Sequence, residues 1–172
     1  LRMRNKELAE QLEKRPDMAG LGDDVSVVYS AHGVGFRVKG DVLFASGSEE
    51  LKATAQKTLD KIVEVLKSRS GKIRVCALTD SDPIRKTAHK YQSNFHLSAM
   101  RALSVLGHLE KAGIAPERMH VAGFGEYELI KEGGKEDKAR SRRAEIWLLN
   151  EGRGEDVGGA AEVRSSRPAA SE

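Results

Sequence analysis

The chain has 172 residues, of which 39% are hydrophobic and 32% are charged, a length that fits one domain of ordinary size with flanking segments. Its net charge is only +3. The basic residues are interspersed with acidic ones and form no long run, which favours a solvated mixed-charge surface over a nucleic-acid-binding face. A single cysteine, Cys76, excludes an intramolecular disulfide framework and a cysteine-based metal site.

Residues 1–24 are predicted to form an N-terminal helix and a linker. The helix carries three leucines and one asparagine spaced in steps of four, three and four, at Leu1, Asn5, Leu8 and Leu12. This spacing is typical of a coiled-coil seam with an Asn at one core position, and it predicts a dimeric stalk. A solvated helix whose leucines rest on the domain has the same pattern, so both interpretations stay open at this point. Pro16 ends the helix.

Both ends of the chain are expected to lie outside the folded domain. Because the sequence begins at Leu1 rather than Met, we interpret it as a piece of a longer protein, with a targeting or membrane segment upstream. Residues 150–172 contain Gly, Ala, Ser, Glu and Arg with almost no large apolar residue. Such a segment cannot offset its ordering entropy by burial, and it is predicted to be disordered.

The domain between them, residues 25–149, is predicted to start with a hairpin and a helix. Two short β-prone runs, 25–29 and 34–39, are separated by a Gly-containing turn, and the second alternates apolar and polar residues. A helix is then predicted from Ser48, whose hydroxyl can cap its N-terminus, to Ser68. Its apolar side chains repeat at helical spacing, which predicts one buried face.

Strands and a second helix complete the predicted domain. The remaining strands are expected at 73–78, 118–124 and 143–149. A helix over 94–112 ends at Gly113, a favourable left-handed cap. Helices that follow strands with crossovers predict an α+β fold, a two-layer sandwich in which a mixed β-sheet carries its helices on one face.

One carboxylate and one guanidinium stand out in this pattern. Asp80 follows a central strand, and Arg101 lies beside the apolar face of the next helix. Strand ends and helix starts converge at the binding edge of such sheets. The two side chains fit either a structural salt bridge or a two-point clamp for a zwitterion, with the carboxylate taking an ammonium and the guanidinium a carboxylate.

Other kinds of chemistry have little support in the sequence. The five histidines show no metal-ligand spacing, and no Ser/His/Asp order accompanies a nucleophile elbow. Gly123 and Gly125 lack the third glycine and the helix start of a dinucleotide site. We therefore expect no enzyme, no metal and no cofactor.

Spaced motifs between residues 34 and 149 resemble the OmpA-like peptidoglycan-binding domain family, the type found in OmpA C-terminal domains, MotB and Pal. The motifs that carry the resemblance are Thr79-Asp80, Asn94-x-x-Leu97-Ser98-x-x-Arg101, Gly123-Phe124-Gly125-Glu126 and Ser141-Arg142-Arg143-Ala144-Glu145-Ile146. The run Ser93–Ser98 looks closest to the MotB branch. The loop 81–92 differs from the family's usual pattern, with Ser81-Asp82-Pro83 where a glycine is common.

The resemblance implies a non-catalytic domain that holds the diaminopimelate of a peptidoglycan stem peptide. It implies that Asp80 and Arg101 grip the zwitterionic end, with further ligand contacts from Thr79, Asn94, Leu97, Ser98 and either Arg143 or Arg142. It also implies a periplasmic protein tethered to the inner or outer membrane of a bacterium, as a homodimer and of MotB-like stator type. The alternative is a protein-interaction or assembly module of the same fold that does not bind peptidoglycan.

Overall fold

Helices and strands alternate through most of residues 1–151, the part of the chain that this computed structural model describes. The helices are α1 (Arg2–Glu13), α2 (Pro16–Ala19), α3 (Gly40–Leu43), α4 (Ala53–Lys67), α5 (Asn94–Lys111) and α6 (Lys138–Ser141). The strands are β1 (Val25–Tyr29), β2 (Gly33–Lys39), β3 (Ile73–Leu78), β4 (Met119–Gly125), β5 (Lys131–Glu132), β6 (Lys135–Glu136) and β7 (Arg143–Leu149).

Within the described residues the main sheet has five strands in the order β1-β2-β7-β3-β4, and β5 and β6 form a separate small hairpin. Neighbouring strands of the main sheet are antiparallel except β3 and β4, which are parallel. A parallel pair needs a crossover connection, and α5 supplies it by packing on both strands. The prediction of an α+β sandwich with a mixed sheet is confirmed.

The hydrophobic core lies between the helices and one face of the sheet. Phe36 of β2 and Ile146 of β7 point into it and are fully buried, as are Leu59, Ile62 and Leu66 on the predicted apolar face of α4. Each such side chain contributes about 1.5–3 kcal/mol through its removal from water. The opposite face of the sheet carries the alternate, more polar residues of the same strands.

Helix α4 begins at Ala53, so the predicted start at Ser48 is wrong. The Ser48 hydroxyl accepts a hydrogen bond from the backbone N–H of Glu50, 3.0 Å away, and closes a local turn instead of capping a helix. A β-bridge between Phe44 and Leu51 makes residues 44–51 a short loop. This loop reaches α5 and forms part of the site described below.

Helix α1 packs on β1 and β2 through side chains of the proposed coiled-coil seam. Asn5 and Leu12 are only 5% and 2% exposed. The Asn5 Nδ2 atom donates a hydrogen bond to the backbone carbonyl of Ser30 at 2.8 Å. These side chains rest on the domain, so a coiled coil through this face would require α1 to detach from the sheet.

The end of β7 is held by the turn between β1 and β2. The backbone N–H and the Nδ2 atom of Asn150 donate to the carbonyls of His32 and Ala31, at 2.9 Å and 2.8 Å. Asn150, where the predicted tail starts, is therefore part of the domain, while residues 152–172 of that prediction lie outside the described residues. No helix in the described range is long and apolar enough to cross a membrane.

Candidate functional site

A cleft of about 600 Å³ opens where β3 ends and α5 begins. Most of the predicted site residues line it, namely Thr79, Asp80, Asn94, Leu97, Arg101 and Arg142. The loop from Ser81 to Gln92 forms one wall, and the loop 44–48 faces it. The cleft therefore combines a strand end, a helix start and two loops that are distant in sequence.

Asp80 is held at the cleft by contacts on both carboxylate oxygens. Its Oδ2 atom accepts a hydrogen bond from Nη1 of Arg142 at 2.6 Å, and its Oδ1 atom accepts one from the backbone N–H of Asp82 at 3.0 Å. The hydrogen bond between Arg142 and Asp80 raises the pKa of the Arg142 guanidinium. Among the described residues, the ion pair of Asp80 is with Arg142 rather than with Arg101, so a direct Asp80–Arg101 salt bridge is not formed.

Arg101 is buried on α5 and reaches the loop 44–48. Its Nε atom donates to the carbonyl of Ser48 at 2.8 Å and its Nη2 atom to the carbonyl of Ala45 at 3.2 Å. The guanidinium lies over the ring of Phe44, 4.9 Å from the centroid. Burial lowers its pKa to about 10, against the opposing effect of Asp80, so the group stays charged at neutral pH. A guanidinium has more N–H donors than these two bonds use.

The loop 81–92 is fastened to the segment around the β5–β6 hairpin. The Glu136 carboxylate accepts hydrogen bonds from the hydroxyl and the backbone N–H of Ser81. Lys138 Nζ lies 2.6 Å from Asp82 Oδ1, and this pair lowers the pKa of Asp82 and raises that of Lys138. Asn94 Nδ2 donates to the Asp82 carbonyl at 3.1 Å and joins the loop to α5. The loop 81–92 is thus attached both to the β5–β6 segment and to α5.

Ser98 does not line the cleft, contrary to what the resemblance implies. It is fully buried between α5 and β4. Its hydroxyl accepts a hydrogen bond from the N–H of Gly125 and donates one to the carbonyl of Phe95, both at 3.0 Å. Ser98 therefore holds the helix against the strand and is not available to a ligand.

Arg143 also lies away from the cleft, on the face of the sheet that the helices leave open. Its Nε atom donates to Glu145 at 2.8 Å, and the same carboxylate accepts from Arg37 at 3.0 Å and from the Trp147 indole at 2.9 Å. Burial would raise the pKa of Glu145, but the hydrogen bonds from Arg143 and Trp147 lower it. Of the two candidate arginines, Arg142 is the one that brings positive charge to the cleft.

The cleft presents charged side chains of both signs on separate elements. Within residues 1–151, no three His, Cys, Asp or Glu side chains are grouped so that they could hold a metal ion. Burial raises the pKa of the Cys76 thiol to about 12, which disfavours the reactive thiolate. What the cleft does present is a carboxylate and a guanidinium on separate elements, so a molecule carrying both an ammonium and a carboxylate has a partner for each.

Comparison with known proteins places these features in context. The family model described as OmpA family matches residues 43–143. Outer membrane protein A of Serratia odorifera is 33% identical over 115 residues, 66% of this chain and 46% of the relative. Motility protein B of Bacillus subtilis is 26% identical over 150 residues, 84% of this chain and 56% of the relative. The chain thus spans about half the length of these relatives.

Solved structures show the same fold. A MotB-like protein from Desulfovibrio vulgaris is 28% identical with a TM-score of 0.73, covering 87% of this chain and 98% of that one. The cell wall anchor of the T6SS from Pseudomonas aeruginosa is 27% identical with a TM-score of 0.68, covering 78% of this chain and 95% of that one. In both, the matched part is nearly the whole of the solved chain.

Proposed function

The chain belongs to the OmpA family, and from that premise we propose that it is a non-catalytic domain that binds peptidoglycan. In this proposal the ligand is the free zwitterionic end of diaminopimelate in a stem peptide. Arg101 takes its carboxylate, and Asp80 takes its ammonium. Thr79, Asn94 and Leu97 line the pocket between them, and Arg142 orients Asp80.

The observation that carries this proposal is that Asp80 and Arg101 line one cleft without being paired to each other. A direct ion pair between Asp80 and Arg101 would leave no space for a ligand between them and would favour an assembly module. Instead, Arg101 is held by backbone carbonyls, and each carboxylate oxygen of Asp80 can accept a further hydrogen bond. Both groups are fixed before a ligand arrives, which reduces the ordering cost of binding.

The similarity to a cell wall anchor and to motility protein B supports the wider setting of the proposal. In this setting the parent protein is periplasmic, dimeric and of MotB-like type, and a segment outside this sequence tethers it to a membrane. A single site of a few charge-assisted hydrogen bonds gives modest affinity, and retention on the wall then comes from many sites acting together.

Co-sedimentation with purified sacculi tests the proposal. The wild-type chain should pellet with sacculi and be released by millimolar diaminopimelate. Asp80→Asn removes the charge that holds the ammonium but keeps the side chain's shape. It should weaken binding of a soluble stem peptide by about 10- to 100-fold, as expected for one hydrogen bond to a charged group.

Asp23→Asn is the matched control, because Asp23 is an exposed carboxylate outside the cleft. It should bind as the wild type does. A wild-type chain that stays in the supernatant would overturn the proposal and favour the assembly module. Equal binding by the Asp80 and Asp23 variants would refute the role given to Asp80.

A further inference from the structure

Two aromatic rings are stacked on each other at the surface next to the cleft. Phe95 and Tyr127 have ring centroids 5.0 Å apart and ring planes inclined by 22°. Phe95 is 51% exposed and Tyr127 is 69% exposed. In a chain with only 5% aromatic residues, two large rings placed in solvent rather than in the core indicate a contact surface.

The backbone beneath these rings is fixed. Gly125 has φ +59°, and a Cβ there would lie 3.2 Å from the Phe95 nitrogen and 3.3 Å from its Cδ1, so the Phe95 ring sits directly on this glycine. Gly125 itself donates to Ser98 and accepts from the N–H of Thr79 at 2.8 Å. The Phe95 ring therefore rests on a fixed backbone, which reduces the ordering needed when a ligand contacts it.

The aromatic pair lies beside the cleft, next to residues that line it. Asn94 lines the cleft, and Phe95 follows it directly, so their Cα atoms are about 3.8 Å apart. Thr79, which also lines the cleft, is hydrogen bonded to the glycine under the Phe95 ring. A ligand that fills the cleft and extends past the start of α5 would meet the two rings.

We propose that the Phe95–Tyr127 pair is a platform for a sugar ring of the glycan strand whose stem peptide occupies the cleft. This inference rests on the proposed function. In peptidoglycan a short peptide joins diaminopimelate to the nearest sugar, a span of roughly 10 Å when extended. One face of a pyranose ring presents C–H bonds with partial positive charge, which suits the negative face of an aromatic ring. The Tyr127 hydroxyl adds a donor and acceptor for sugar hydroxyls.

Three soluble ligands test this with the full chain: the stem peptide alone, the same peptide carrying its disaccharide, and the disaccharide alone. Calorimetric titration should show that the sugar-bearing ligand binds the wild type more tightly than the bare peptide. Tyr127→Ala should weaken binding of the sugar-bearing ligand by about threefold to tenfold and leave the bare peptide unchanged. Tyr127→Phe keeps the ring and should retain most of the affinity.

Tyr29→Ala is the matched control, because Tyr29 is a partly exposed tyrosine in β1 at the other edge of the sheet. It should bind all ligands as the wild type does. If Tyr127→Ala weakens binding of both peptide ligands equally, the pair only shapes the cleft. If it weakens binding of neither ligand, the pair takes no part in binding. Either result overturns the platform. If Tyr127→Ala changes the sedimentation coefficient of the protein but leaves sugar binding unchanged, the pair belongs to a protein interface. That result would also overturn the platform.

The disaccharide alone separates this inference from the proposed function. At millimolar concentration it should shift the ring proton resonances of Phe95 and Tyr127. If the bare peptide fails to bind, the proposed function fails, whether or not the disaccharide shifts the ring resonances. If the bare peptide binds but the disaccharide leaves both ring spectra unchanged, the platform fails and the peptide clamp stands.

Discussion

Replacing Arg101 with methionine is expected to weaken the fold as well as ligand binding. Methionine keeps much of the side chain's length and apolar character but removes the charge and every donor. The carbonyls of Ser48 and Ala45 would lose their donors, and the Phe44 ring would lose the cation above it. The loop 44–48 would then be held to α5 by packing alone.

The size of the effect follows from these contacts. A carbonyl left without a donor costs about 1–3 kcal/mol. The lower end applies here, because Ala45 is exposed and Ser48 is half-buried, so water can replace part of the loss. Methionine also removes the free-energy cost of burying the charged guanidinium, the same burial that lowers the pKa of Arg101. We expect a net loss of about 2 kcal/mol in the free energy of unfolding, which lowers the melting temperature by about 6 °C in a chain of this size.

Urea denaturation followed by circular dichroism measures this loss, and binding of the stem peptide is measured on the same protein under conditions where it is folded. Arg101→Lys is the informative companion. It keeps a charge, so it should retain part of the binding, but an ammonium cannot bridge two carbonyls as the guanidinium fork does. An Arg101→Met protein as stable as the wild type would refute the structural role of the two carbonyl contacts.

Further predictions concern side chains outside the cleft. Because the pKa of Glu145 is lowered in the folded chain, stability present at neutral pH should be lost as the pH falls below the ordinary value of 4.5. Glu145→Gln should be less stable at neutral pH and lose less on acidification, and equal acid losses in urea titrations would contradict this. Ser98→Ala leaves the buried N–H of Gly125 without its acceptor, so about 1–3 kcal/mol should be lost in urea denaturation with unchanged stem-peptide binding; a selective loss of binding would contradict its bracing role. Gly123→Ala would place a Cβ 2.6 Å from the Ala99 nitrogen and should cost about 1–3 kcal/mol, seen as a lower melting temperature by calorimetry; an unchanged melting temperature would contradict this close packing.

Local patterns in the sequence were sufficient for most of the sheet and for α5. The strand β7 has the predicted bounds, because Ala144, Ile146 and Leu148 alternate with Glu145 and Trp147 as a strand requires. Helix α5 starts at Asn94, and the Ser93 side chain accepts a hydrogen bond from the backbone N–H of His96, a regular helix cap. The start of α4 was mispredicted because Ser48 forms the same kind of hydrogen bond within a tight turn, which sequence alone does not distinguish from a cap.

The candidate site was harder to predict because its partners are distant in sequence. Nothing in the sequence indicates that Arg101 binds the carbonyls of Ser48 and Ala45, since any residue type supplies a carbonyl. The choice between the two arginines did have a signal. With Ala144 and Ile146 facing the core, alternation directs Arg143 to the opposite face, which leaves Arg142, before the strand, for the cleft.

The parallel pairing of β3 and β4 has a consequence for how this domain could be altered. Antiparallel neighbours joined by a tight turn constrain the length of their connection, but a crossover does not. The length of residues 81–92 is therefore not set by the register of the sheet. Because the segment is also a wall of the cleft, exchanging it for loops of other lengths offers a direct route to domains of the same scaffold with different ligand preferences.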